Sequence, residues 1–324
     1  MPDDASPTGL FTVRVQRIEW EAEGVVSVEL LAAAGAALPP FTAGSHIDLN
    51  LAPGLVRSYS LTNLQGETHR YVIAVGLDAA SEGGSRFVHQ QLRVGQMLQI
   101  TAPRNNFPLV ESAPQVVLIA GGIGITPLYG MARRLAALGR SFALYYAVRE
   151  PARAAFLVSL RALGQPVHTH FDCEHAGRPL DLPAIVGAHP SGTHYYCCGP
   201  LGMLAAFETA AEKLPEGLAH VEYFKPKPQA QAASRAGFTV VLARSQRQIE
   251  IAPDQSILAA LLANGVKIDS SCQDGICGTC EVRVLEGTPE HRCSVLSKAE
   301  RAAGKSMMVC VSRAASERLV LDLE

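Results

Sequence analysis

Cys272, Cys277 and Cys280 stand in the order C-x4-C-x2-C, and a further cysteine, Cys310, follows inside the apolar, strand-like stretch 307–311. Thiolates at this spacing form the ligand pattern of plant-type [2Fe-2S] centres. The reason is geometric: sulfurs from one tight loop surround one side of a rhombic cluster only if the backbone wraps it, and the last ligand must come from elsewhere. Gly275 and Gly278 let the backbone come close because they carry no side chain. Four thiolates also suit a structural Zn²⁺, although such sites usually pair two short C-x2-C units and this stretch holds one. Cys173, Cys197, Cys198 and Cys293 read as small apolar fillers. Of these, only Cys198 belongs to a second motif.

Two further groups of residues could hold phosphorylated cofactors. Arg57-Ser58-Tyr59-Ser60 offers a cation, hydroxyls and an aromatic ring in one short run, enough to clamp a phosphate and cover a flavin; an edge strand with a surface arginine is the plainer reading. Its companion is Gly83-Gly84-Ser85 before the helix-like Arg86 to Leu92, where free N–H groups at a helix start could take a phosphate. Gly121-Gly122-Ile123-Gly124-Ile125-Thr126-Pro127 follows an apolar strand and opens a helix, the place where nucleotides bind in a parallel sheet. Cys198-Gly199-Pro200 closes a later strand in the same way, and both turns are expected to line one crevice. A plain strand-to-helix turn is the competing reading of each.

These residues need elements to position them. Short alternating runs from Phe11 to Ile100, such as Tyr71-Ile73-Val75, predict a small antiparallel barrel. From Val116 the pattern becomes strand, glycine turn, helix, strand: Val116 to Ala120, Leu128 to Leu138 with Gly139 as cap, then Phe142 to Val148. Helix-like Ala154 to Leu163, strands Val167 to Phe171 and His194 to Cys198, and helix-like Leu201 to Leu214 continue a βαβ alternation over a parallel sheet. The run KPKPQAQAASRAG from Lys225 to Gly237 reads as an exposed linker. Beyond it, Phe238-Val240-Leu242 and Ile249-Ile251 alternate as a hairpin, and Asp254 is placed to cap a helix carrying Ile257, Leu258, Leu261 and Leu262. The expected division is 1–110, 111–226, a linker at 227–236, and 237–324.

Composition narrows the function classes. At 324 residues, 48% apolar and 18% charged, the chain is long enough for several folded domains. A net charge of −2 provides no positive field to hold nucleic acid. The start of the chain lacks a basic and apolar leader, and the longest apolar run, Val116 to Met131, is broken by glycines and proline, so a cytoplasmic protein with no membrane span is expected.

Taken together, R-S-Y-S, G-G-S, G-G-I-G-I-T-P, Y-C-C-G-P, the aromatic ending Glu222-Tyr223-Phe224 and S-C-x4-C-x2-C with Cys310 resemble the phthalate dioxygenase reductase family, including its vanillate demethylase reductase-like members, over nearly the whole chain. The resemblance implies a multidomain fold: an antiparallel β-barrel flavin domain, an α/β parallel-sheet nicotinamide-binding domain, and an α+β, β-grasp ferredoxin domain. It implies an NADH-dependent oxidoreductase that takes a hydride onto FMN and passes single electrons through the [2Fe-2S] cluster to a separate Rieske-type terminal oxygenase. It further implies that Arg57, Ser58, Tyr59 and Ser60 hold the FMN, with Ala74, Val75 and Gly76 along the flavin edge, Gly83, Gly84 and Ser85 at its phosphate, and Phe224 over the ring. Gly121, Gly122, Gly124, Ile125, Thr126 and Pro127, with Cys198, Gly199 and Pro200, are assigned to the dinucleotide, and Cys272, Cys277, Cys280 and Cys310 to the metal. No residue is expected to act as acid, base or nucleophile. The chain departs from the family at Cys293, where relatives carry aspartate after His-Arg, and at Arg149-Glu150-Pro151, where Arg-Asp is more usual. A reductase for another acceptor, such as a cytochrome P450, and a zinc-bearing binding protein on the same fold are the alternative readings.

Overall fold

The computed structural model describes residues 9–33, 35–81, 83–227 and 236–324; positions 228–235 of the expected linker lie outside the described residues. The chain forms two compact units, Met1–Glu222 and Tyr223–Glu324.

The first unit opens with six strands: β1 (Leu10–Ala22), β2 (Val25–Ala32), β3 (His46–Ala52), β4 (Leu55–Ser60), β5 (Tyr71–Gly76) and, after the short helix α1 (Gly84–Gln90), β6 (Met97–Thr101). They pair antiparallel in the order β4-β3-β6-β1-β2-β5. A bridge between Leu61 and Ile73 joins the two edges, so the sheet closes on itself as the alternating pattern predicts. Val13, Val28, Leu30, Ile47, Leu49 and Ile73 are fully buried and fill its interior. Their β-branched or γ-branched side chains lie on one face because strand periodicity is two.

The second half of this unit is β7 (Gln115–Gly121), α2 (Ile125–Ala137), β8 (Phe142–Val148), α3 (Leu157–Arg161), β9 (Val167–Phe171), α4 (Leu182–Gly187), β10 (Thr193–Cys198), α5 (Leu201–Ala210) and β11 (Ala219–Glu222). All five strands are parallel, in the order β11-β10-β7-β8-β9. From β7 the chain winds outward through β8 and β9, then returns to place β10 on the other side of β7. That reversal is a topological switch point, where crossovers leave in opposite directions and a crevice opens at the carboxyl ends of the strands.

Three helix boundaries differ from the sequence pattern. Helix α2 begins at Ile125 rather than Leu128, because a 3-10 turn, Gly122–Gly124, feeds directly into it and Pro127 occupies the first turn, where its missing N–H costs nothing. The helix expected from Ala154 starts only at Leu157, since Phe156 takes a left-handed φ of 60°. Stacking of the Phe156 ring on Tyr129 at 4.4 Å, about 1 kcal/mol, helps offset that strain. Helix α5 stops at Ala210, short of Leu214. Gly139 does follow the end of α2, at φ 66°.

The second unit is built from β12 (Phe238–Leu242), β13 (Gln248–Ile251), α6 (Ile257–Ala263), β14 (Glu281–Glu286), β15 (Pro289–Glu290), α7 (Lys298–Ala303), β16 (Ser306–Met308), β17 (Arg313–Ala314) and β18 (Arg318–Leu321). The main sheet runs β13-β12-β18-β14-β16, with β12 and β18 parallel and the other neighbours antiparallel. Ile257, Leu258 and Leu261 of α6 join Val240, Ile251 and Leu319 in one core, so the sheet grasps the helix. The cap of α6 is Ser256, whose hydroxyl accepts the Ala259 N–H at 3.1 Å, and not Asp254.

Candidate functional site

The loop from Cys272 to Cys280 carries three buried or half-buried thiols, and Cys310 is brought to them from the turn after β16. Cys310 therefore lies beyond the strand rather than inside it; the chain must leave the sheet to present its sulfur. The sulfurs associate two by two. Cys272 interacts most strongly with Cys277, and Cys280 with Cys310. Interaction with Cys272 pulls the Cys277 thiol down to about 5, and interaction with Cys310 lowers Cys280; the partner thiols Cys272 and Cys310 rise.

Backbone N–H groups of Asp274 and Ile276 donate to Cys272 Sγ, and that of Gly275 to Cys310 Sγ. Thr279 Oγ1 lies 3.2 Å from Cys277 Sγ. Ser271 Oγ is buried beside this set without a hydrogen-bond partner. Two sulfur pairs fit two metal ions. Among the described residues, no three His, Cys, Asp or Glu side chains converge on a single ion position. The residues thus fit a [2Fe-2S] cluster: a pair of thiolates for each iron, with N–H donors and an orphaned hydroxyl around them.

In the barrel, strand alternation divides the tetrapeptide on β4. Arg57 and Tyr59 stand opposite Leu49 and Ile47, whereas Ser58 and Ser60 stand opposite Asp48 and His46. Ser58 Oγ donates to Asp48 Oδ1 at 2.6 Å, and Arg104 binds the other oxygen of this fully buried carboxylate at 2.5 Å. The Ser58 side chain is thus drawn away from Arg57. Arg57 instead lies against α1: a Cβ on Gly84 would come within 2.5 Å of Arg57 Cγ, so only glycine admits the arginine there. Helix α1 opens at Gly83, φ 101°; Ser81 Oγ accepts the Gly83 and Arg86 N–H groups at 3.2 and 3.3 Å, which leaves those of Gly84 and Ser85 at the helix start beside Arg57.

Ser85 Oγ accepts the Asp78 N–H at 3.2 Å and ties this loop down. Burial pushes the Tyr59 phenol up to about 12, so its ring stays neutral. Ala74 and Val75 are buried on β5, where the Val75 carbonyl lies 2.9 Å from His89 Nε2, and Gly76 abuts Ile123 of the glycine turn. A cation over a side-chain-free helix start is a cradle that fits a flavin phosphate. Phe224 follows Tyr223, the first residue of the second unit, and is 37% exposed.

At the switch point the two predicted turns do meet. A Cβ on Gly124 would stand 2.2 Å from the Cys198 carbonyl oxygen, and one on Gly121 would stand 2.6 Å from the Pro200 ring. The absence of both side chains is what lets β7 and β10 end side by side. Thr126 is buried and its hydroxyl donates to the Ile123 carbonyl at 3.0 Å, so it serves the turn itself. Glu150 is held by Arg153 at 3.2 Å. Among the cysteines expected to fill space, Cys197, Cys198 and Cys293 are buried, but Cys173 is exposed.

Sequence reasoning missed Glu222. In the parallel register it stands beside Cys198, half-buried as a residue, with a buried Oε2 that has no hydrogen-bond partner. Its one signal was a carboxylate ending the short strand before the aromatic pair. Burial pushes the carboxyl up from 4.5 to about 8, and the Cys198 thiol rises for the same reason. Between those two values the folded chain keeps a proton that the unfolded chain has released, so stability falls as pH rises through the window. Glu222→Gln is expected to flatten that slope. Thermal melts between about pH 5 and about pH 8 should show the variant gaining on the wild type, by on the order of 3 kcal/mol at the alkaline end.

Comparison with known proteins agrees with this geometry. Residues 118–209 match an oxidoreductase NAD-binding domain, and residues 240–315 match a 2Fe-2S iron-sulfur cluster binding domain. The chain is 49% identical to phenoxybenzoate dioxygenase subunit beta of Ectopseudomonas oleovorans, over 96% of this chain and 97% of that one. A solved structure of phthalate dioxygenase reductase, described as modular for electron transfer from pyridine nucleotides to [2Fe-2S], is 38% identical with TM-score 0.71, covering 98% of both chains. An intact type IV self-sufficient cytochrome P450 monooxygenase is 40% identical with TM-score 0.90; it matches 97% of this chain, which spans 41% of that protein. No helix among the described residues is long and apolar enough to cross a membrane. With a six-stranded barrel, a parallel sheet with glycine turns at its switch point, and paired cysteines on a grasping sheet, the chain belongs to the phthalate dioxygenase reductase family of iron–sulfur oxidoreductases, the reductase components of oxygenase systems.

Proposed function

We propose that the chain oxidises NADH at the switch-point crevice and delivers single electrons, through FMN and a [2Fe-2S] cluster, to a separate Rieske-type oxygenase in the cytoplasm. The observation that carries this reading is the pairing of Cys272 with Cys277 and of Cys280 with Cys310. A reducing compartment suits thiolate ligands and an NADH supply alike.

When bound, FMN supplies the acceptor for a two-electron hydride and the donor of single electrons that the cluster needs. The chain's own residues bind and orient. Arg57 and the α1 N–H groups take the flavin phosphate, and Tyr59 offers an uncharged ring beside them. Gly121, Gly124 and Gly199 let the two turns close on each other at the strand ends and so shape the crevice assigned to the dinucleotide. Buried Cys198 and protonated Glu222 line the nicotinamide end without adding a negative charge near the departing hydride. No side chain is required to hold or move a proton for the transfer itself.

Arg57→Ala should lose one charge-assisted contact, roughly 1.5–3 kcal/mol, and so weaken flavin retention by about 10- to 100-fold. Flavin content after gel filtration measures this, and chromatography of the extracted flavin against FMN and FAD standards tests its identity. Retention equal to wild type would remove Arg57 from the phosphate site. A second acceptor class has specific support in the similarity to 41% of an intact type IV self-sufficient cytochrome P450 monooxygenase. Stopped-flow reduction of a purified Rieske oxygenase and of a P450 by the same NADH-reduced protein separates the two.

A further inference from the structure

Helix α7 is anchored by a capping box: Ser297 Oγ accepts the Glu300 N–H at 3.2 Å while the Ser297 N–H donates to Glu300 Oε2 at 2.8 Å. From the middle of that helix Arg301 reaches back over the preceding segment. Its Nε donates to the Leu296 carbonyl at 2.9 Å and its Nη2 to the Cys293 carbonyl at 2.5 Å. The Cys293 carbonyl shares a peptide unit with the Ser294 N–H, which donates to the Gly275 carbonyl at 2.8 Å. The Gly275 carbonyl in turn shares a peptide unit with the Ile276 N–H, and that group donates to Cys272 Sγ. A guanidinium, two peptide units and a ligand sulfur are therefore joined head to tail.

The chain of contacts depends on close approach. Gly275 has φ 70°, and a Cβ there would lie 3.0 Å from Cys293 Cα and 2.6 Å from Val311 Cγ2, so the segment can press on the cysteine loop only at a glycine. The neighbouring cation Arg292 is paired with Glu290 at 2.8 Å, which offsets its charge.

We propose that Arg301 is a positioning and tuning residue for the cluster, which polarises both peptide units and so strengthens the N–H···S bond to Cys272. Reduction adds one electron to the cluster and increases the negative charge on its sulfurs. Hydrogen bonds to those sulfurs favour the reduced state, and hydrogen bonds in series reinforce one another. The relay therefore raises the reduction potential and makes the cluster a better acceptor from flavin. This inference rests on the [2Fe-2S] assignment above, and the two fail differently.

The test is a redox titration of the full-length holoprotein followed by electron paramagnetic resonance, with Arg301→Met, Arg301→Gln, Arg301→Lys and Cys293→Ala. Arg301→Met should lower the equilibrium constant for reduction about tenfold, a shift of about 59 mV for one electron. Arg301→Gln, which keeps a donor without the charge, should fall between, and Arg301→Lys should lie nearest the wild type. Cys293→Ala keeps the carbonyl and should leave the potential unmoved. An unshifted potential in Arg301→Met overturns the proposal; where that variant does not load iron, an unshifted Arg301→Gln does so instead. A Cys293→Ala shift as large as that of the arginine variants also overturns it, since repacking would then explain both. A wild-type protein with no signal after reduction overturns the cluster assignment itself.

Discussion

Cys272→Ser abolishes NADH-driven reduction of cytochrome c and leaves NADH oxidation by a dye that accepts from flavin near its wild-type rate. The serine hydroxyl remains protonated where the cysteine thiol gives a thiolate, so one iron loses half of its protein ligand pair. In this chain the loss also removes the sulfur to which the Asp274 and Ile276 N–H groups donate. The residues assigned to flavin, from Arg57 to Ser85, lie in the other compact unit, which has its own core. The expected drop is about a hundredfold or more in the cluster-dependent assay, because ligand loss removes the acceptor rather than slowing it. Steady-state rates with the two acceptors, together with the visible spectrum, check it. Equal loss in both assays would place the damage in folding, and survival of both would mean that electrons do not travel through these cysteines.

Gly124→Ala has the next largest expected effect. Its methyl group would stand 2.2 Å from the Cys198 oxygen and 2.4 Å from the Cys198 carbonyl carbon, both of them backbone atoms with no flexible side chain to yield. Relief requires the turn after β7 to move away from the end of β10, at a cost of about 1–3 kcal/mol. That movement alters the crevice assigned to the dinucleotide, so the KM for NADH should rise about tenfold or more while flavin and cluster content stay unchanged. Initial rates against NADH concentration, alongside the absorption spectrum, measure the split. A variant with unaltered KM would show that the dinucleotide does not enter where these turns meet.

The architecture was largely legible in the sequence. Alternation in the barrel strands, βαβ order beyond Val116, and the C-x4-C-x2-C loop all express local periodicity or spacing, and the three larger sheets follow them. Errors fell where local preference met a competing interaction. The helix expected from Leu128 starts at Ile125, because Pro127 is tolerated in a first turn. Cys310 looked like part of a strand because its neighbours are apolar, yet the turn that presents its sulfur is equally buried. The tetrapeptide read as one cluster is divided by the strand: neighbouring residues face opposite ways, and the Ser58 hydroxyl donates to Asp48.

Residue types and their spacing along the chain were by themselves enough to mark four cysteines for a metal centre and two glycine turns for a nucleotide, since three of the cysteines and each turn lie within a short run. Only the tertiary structure decided which sulfurs pair, that Gly124 and Cys198 touch, that Glu222 stands beside Cys198, and that Arg301 reaches Cys272 through two peptide units. Those relations join segments far apart in sequence. They arise from strand order and burial, which no local run of residues carries.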